Sequence, residues 1–138
     1  MKGGAMKPLS AVLIFKIVVT ALFWSIPLLI LPTNCLRRLG FPQITPPIFL
    51  RLLGMSYAAL LVAYSFGLRD SLQNIYPSRI VWIGIASNGG AFIVLFLGAL
   101  SKTWSSWGIC AQIFMWGSLI ATALITVGLI RFGIMRIS

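Results

Sequence analysis

Lys16, Arg51, Asp70 and Asn88 are the side chains in this chain best placed to do chemistry, because each lies in or at the edge of a long apolar run. What they could do is bounded by what is missing. There is no histidine, and Asp70 is the one acidic residue. A Ser-His-Asp or Cys-His nucleophile set therefore cannot be assembled. Paired carboxylates are equally out of reach. No glycine loop of the phosphate-cradling type is present, and Cys35 and Cys110 do not have metal-type spacing. Haem and chlorophyll lack their usual histidine ligand, which leaves only weaker axial ligands or bound water for a pigment. The sequence implies no catalytic residue, no metal and no cofactor; a bound lipid fits it, and a pigment stays open. Proton-coupled transport usually relies on an acid deep in the membrane. A small four-span drug exporter is expected to carry that acid in its first span, where this chain has Lys16.

The elements that must position these groups follow from composition. Of 138 residues, 59% are hydrophobic and 9% charged, with mean hydropathy +1.02. A soluble domain of this size has too much surface to hide so much apolar side chain. Lipid is the solvent that suits it, and four runs, at about 9–31, 48–68, 80–100 and 107–130, are long enough to span a bilayer. Each must be helical, because lipid offers backbone groups no other partner. The expectation is one all-α integral membrane domain over 1–138, a bundle of four transmembrane helices.

The first run, LSAVLIFKIVVTALFWSIPLLIL, follows Lys2 and Lys7 as a leader would. It is longer than the usual leader core and lacks a clear A-x-A site, so it is read as a span. Pro27 is expected to kink it. The link 32–47, PTNCLRRLGFPQITPP, has prolines at 32, 42, 46 and 47 and cannot be one helix. Its CLRRLGF piece suits a short interfacial helix with Arg37 and Arg38 at the headgroups. Trp104 and Trp107 suit an aromatic belt on one side, Tyr76 and Trp82 on the other.

The net charge of +10 raises the question of nucleic acid. The cations are scattered singly or in pairs rather than clustered, so no nucleic-acid partner is expected; anionic headgroups suit them better. With four spans, Lys2, Lys7, Lys16, Arg69, Arg79, Arg131 and Arg136 fall on the side of the termini, and Arg37, Arg38, Arg51 and Lys102 on the other. That bias places both termini in the cytoplasm, here of a bacterial inner membrane.

Four constellations stand out. In VWIGIASNGGAFIVLFLGAL, Ser87, Asn88, Gly89 and Gly90 interrupt the apolar run. An amide at that depth must face protein, and its small neighbours let another helix come close. Packing is the favoured role, a ligand or ion contact the other. Facing surfaces are offered by Gly54 and Ala58 on the second span, and by Gly117, Ser118, Ala121, Thr122 and Thr126 on the fourth. Second, Lys16 lies about 10 Å into its run and could meet Asp70. The favoured alternative has Lys16 snorkelling to the headgroups and Asp70 pairing with Arg69 or Arg79. Third, Arg37, Arg38 and Arg51 could form one site for a lipid phosphate or acidic partner, although three independent interfacial cations are favoured. Fourth, Cys35 and Cys110 share a side, where a disulfide would tie the first loop to the fourth span; unpaired small apolar residues are the favoured reading.

The pieces PLLILP, LRRLGFP, FLRLLGMSYAALLVAYSFGLRD and VWIGIASNGGAF resemble small bacterial four-span proteins of the DoxX-like kind. The resemblance implies a compact four-helix membrane bundle and supplies no catalytic residue.

The function expected from sequence is that of a non-catalytic membrane subunit, packing against partner helices, lipids or pigments in a larger assembly. The alternative is a self-associating small transporter or channel whose path is lined by Asn88, Gln112 and the Ser/Thr face of the fourth span.

Overall fold

A computed structural model describes residues 3–43 and 46–135, with side chains from Pro8 onward. Lys2, Arg136 and the side chain of Lys7, three of the cations weighed for orientation, lie outside the described residues. The chain forms α1 (Gly3–Val19), a π-helical segment (Thr20–Ser25), α2 (Ile26–Ile30), α3 (Thr33–Arg38), α4 (Ile48–Leu72), α5 (Ser78–Leu100), α6 (Ile109–Leu129) and a second π segment (Ile130–Ile134). Four stretches are long and apolar enough to cross a membrane: Pro8–Ile30, Ile48–Leu72, Ser78–Leu100 and Ile109–Ile134. The second and fourth run one turn past the expected ends, carrying Arg69, Asp70 and Arg131 within helix.

Local chemistry sets the breaks. Pro47 and Pro77 immediately precede α4 and α5, and Gly108 precedes α6; proline is compatible with helix starts because the first turn has no use for its missing N–H. Asn74 (φ 59°) and Lys102 (φ 54°) take left-handed backbone in the turns after α4 and α5. Asparagine tolerates that conformation better than most residues.

The first span is not a plain α-helix. Its buried residues are Leu9, Ser10, Leu13, Lys16, Thr20, Ser25 and Leu28. Steps of three and four residues carry one inward stripe from Leu9 to Thr20. The next step, Thr20 to Ser25, is five, and it coincides with the π segment, where the Ile26 N–H reaches back to the Ala21 carbonyl. Pro27 follows directly and cannot donate to the preceding turn. The kink expected at Pro27 is thus joined to a local widening that rotates the second half of the span back onto the bundle.

Packing is tight at one end. Leu9, Leu13, Tyr64, Val81, Ile125 and Leu129 form a single cluster near the end that holds the termini. Glycines let helices approach there: a Cβ on Gly67 would fall 2.5 Å from Ile80, one on Gly84 2.6 Å from Leu129, and one on Gly133 2.6 Å from Val81. At the opposite end a Cβ on Gly54 would fall 3.0 Å from Leu28 and Leu29, so Gly54 packs on the first span and does not face the Ser87–Gly90 stretch of the third. The outer surface carries large apolar side chains on every span, including Phe15, Phe66, Val94 and Leu124, as contact with acyl chains requires.

One expectation for the loops changes. Trp104 does not stand free in a belt: it is buried, lies over Gly98 and meets the Trp116 ring edge-on at 6.0 Å. The first loop is tied to the start of the fourth span by glycine rather than by sulfur. Gly108 N–H donates to the Gly40 carbonyl at 3.0 Å, while Cys35 and Cys110 are free and exposed. A Cβ on Gly40 would sit 2.4 Å from the Gly108 Cα, so the approach is closed to any larger residue.

Candidate functional site: a buried lysine beside a cavity

Lys16 is 3% exposed, at the level where the inward stripe of α1 passes Tyr64 and Asn88. It lies about 12 Å along the helix from Pro8 at 1.5 Å per residue, near the middle of a ~30 Å hydrocarbon layer. Its ammonium donates to Asn88 Oδ1 at 2.8 Å and sits 4.3 Å from the centre of the Tyr64 ring. An ammonium has donors only, so it fixes the amide with oxygen toward Lys16. The Asn88 Nδ2 then donates to the Gly84 carbonyl at 2.6 Å. Tyr64 in turn shares a 2.6 Å hydrogen bond with Ser87. Three spans are joined through one polar node, and among the described residues every buried side-chain nitrogen or oxygen has a partner.

Both sequence readings of Lys16 are therefore corrected. It does not snorkel, because an acceptor and a π face at its own depth hold it inside. Nor does it meet Asp70. Ser71, next to Asp70, bonds Ser10 at 2.7 Å. Ser10 precedes Lys16 by six residues, about 9 Å along the helix, so Asp70 lies at the wrong height.

Asn88 does face protein, but its small neighbours behave otherwise than expected. Gly89 has only an ordinary contact, Thr126 at 3.7 Å, while a Cβ on Gly90 or on Gly117 would meet nothing within 4 Å. The close-approach glycine is Gly84, one turn earlier on the same face. Ser118, Thr122 and Thr126 satisfy their hydroxyls on carbonyls of their own helix, from Phe114, Ser118 and Thr122 respectively. Gln112 turns away from any path and donates to the Trp107 carbonyl at 2.8 Å, closing the loop before α6.

Beside the node lies a cavity of about 300 Å³. Lys16, Asn88, Ser87 and Thr20 line one part of it; Tyr57, Ala121 and Thr122 line another, and Gly90 and Ser118 also border it. The space lies between the packed cluster, whose Ile125 borders it, and the π segment, whose Thr20 and Trp24 line it. Trp24 closes the upper side, with ring centres 4.9 Å from Phe114 and 5.5 Å from Tyr57. Ala58 borders neither the node nor the cavity; it is half-buried on α4.

The three arginines do not form one site. Arg51 is spent on backbone: it donates to the Leu28 carbonyl at 2.6 Å and the Leu31 carbonyl at 2.8 Å. These are end-of-helix carbonyls that lack intrahelical partners. Arg37 and Arg38 are exposed on α3. Among the described residues no cluster of metal-ligating side chains forms.

Sequence reasoning missed Tyr64, Trp24 and Gly84. Tyr64 was open to the argument used for Asn88, since its hydroxyl in mid-span also needs a partner. Gly84 lies four residues before Asn88 and so shares its face. Trp24 gave no signal, because its position depends on the π segment.

No family model, curated protein or solved structure matches this chain.

Proposed function

We propose that the protein is a non-enzymatic membrane protein that holds an anionic ligand at mid-bilayer, in the manner of a small carrier. One observation carries this reading. Lys16 is a buried cation whose contacts are a neutral amide and an aromatic face, and it borders a cavity. A charge in that environment costs several kcal/mol unless it is balanced, and intramembrane ionisable groups are rare outside functional sites. The chain's one acid side chain, Asp70, lies at another level, and a bound anion would supply the balancing charge that no side chain beside Lys16 provides. The cation bias between loops supports cytoplasmic termini and a bacterial inner membrane as its setting. The test is reconstitution of the full chain in liposomes, with binding and uptake of labelled small carboxylates followed. Uptake or binding that vanishes in Lys16→Met and survives in Lys16→Arg supports the reading; binding indifferent to Lys16 overturns it.

A second reading, an accessory subunit of a larger membrane complex, is favoured by Gly90 and Gly117. Both are exposed glycines on spans with open space above them, and interfaces between membrane helices are rich in such residues. In that case the chain should co-purify from native membranes with other polypeptides at fixed stoichiometry. Gly90→Leu or Gly117→Leu should release them.

A further inference from the structure

We propose that the ligand is a long-chain carboxylate, a single-chain fatty acid, with its head at Lys16 and its chain in the cleft between the first and fourth spans. The proposal rests on the anion-site reading above and names its ligand class. Charge selects the head. Lys16 is the one charged side chain lining the central cavity, so a monoanion balances it. A phosphate monoester, at about −1.5 to −2, would bring surplus charge into low dielectric. The ammonium has three N–H donors, and Asn88 takes one. Donors therefore remain for a carboxylate on the cavity side.

Shape selects the tail. Next to the central cavity lies a second one of about 430 Å³, and the two share Val19, Trp24, Ser118 and Ala121 as walls. Its remaining lining, including Phe23, Ile113, Phe114 and Gly117, holds no charged group. A third space of about 270 Å³ shares Phe23, Trp24 and Phe114 with the second, passes Leu31 and continues to Arg37 and Gln43 in the first loop. The three follow one another along the first span, over about 22 Å from Lys16 to Leu31. That end-to-end order suits one extended chain; a two-chain lipid would need parallel grooves. A short carboxylate would leave the apolar part empty. Access is from the bilayer: Ile113 is 67% and Phe23 53% exposed at the mouth of the second cavity.

Trp24 lines all three spaces and reports the occupant directly. The experiment titrates the full chain, in fatty-acid-free nanodiscs, with brominated octadecanoate, and Trp24→Phe identifies the quenched signal. Saturable quenching of Trp24 is expected, with affinity lower by about tenfold or more for brominated octadecanol and for Lys16→Met. Lys16→Arg should retain binding, which keeps the test valid should Lys16→Met fail to fold. Gly117→Leu fills the cleft away from Lys16. It should weaken octadecanoate about tenfold while leaving butanoate, measured by its protection against thermal unfolding, unchanged. Butanoate binding without octadecanoate binding overturns the fatty-acid proposal and leaves the anion site standing. Acid and alcohol binding equally, or Gly117→Leu without effect, also overturns it. Neither carboxylate binding removes both readings.

Discussion

Lys16 on the first span and Asn88 on the third meet through a 2.8 Å hydrogen bond at mid-membrane, where neither side chain could stay alone at low cost. The bond is unequal. Removing the amide strands a cation, whereas removing the cation leaves an amide that still donates to the Gly84 carbonyl.

Asn88→Leu is therefore expected to destabilise the bundle by about 2–3 kcal/mol, and Lys16→Met by about 1 kcal/mol, because stranded charge costs more than a stranded neutral acceptor. The double variant should cost less than the two single losses combined. Reversible unfolding in mixed micelles measures all three, and simple additivity would show that the pair is not coupled.

The glycines of the bundle should separate into two groups. Gly67→Ala places a methyl 2.5 Å from a β-branched carbon of Ile80, which has little freedom to withdraw. A loss of about 1–3 kcal/mol is expected, the usual cost of overpacking. Gly90→Ala meets nothing and should be neutral or gain up to about 1 kcal/mol from helix propensity. Equal effects at the two positions would contradict the packing described.

Arg51→Met removes two charge-assisted bonds from the carbonyls of Leu28 and Leu31. The expected loss is about 1.5–3 kcal/mol, with faster amide exchange confined to residues near the end of the first span. Arg37→Met, on an exposed side chain, should change neither.

The loop tie predicts that thiols are dispensable and glycine is not. Cys35→Ser and Cys110→Ser should each shift stability by under about 0.5 kcal/mol, as exposed substitutions do. Gly40→Ala should lower the melting temperature, since Gly40 has φ 88° and a Cβ there would overlap Gly108. The same free thiols test orientation. With cytoplasmic termini, a membrane-impermeant maleimide added to intact spheroplasts should label Cys35 in the Cys110→Ser background.

Much of the fold was legible because hydropathy and helix obligation act residue by residue. Four runs, their approximate ends and the interruption of 32–47 follow from counting apolar residues and prolines. The inward orientation of Asn88 was legible too, since one polar amide in lipid admits few fates. The partner of Lys16 was not. Choosing between Asp70, headgroups and Asn88 needs relative heights of three helices, and no local pattern encodes them. The stripe of the first span also misleads a strict 3.6-residue reading, because the step from Thr20 to Ser25 breaks phase. Gly40 and Gly108 carry no local signal of their contact, which joins segments far apart in sequence.

The five-residue step has a consequence for how this span can change. Deleting one residue between Thr20 and Ser25 would turn that step into an ordinary helical one, with Leu13 and Leu28 both still seated. Length variation, usually confined to surface loops, thus has a foothold in the middle of the bilayer. The chain could be trimmed there in the laboratory with less disturbance than at any neighbouring turn.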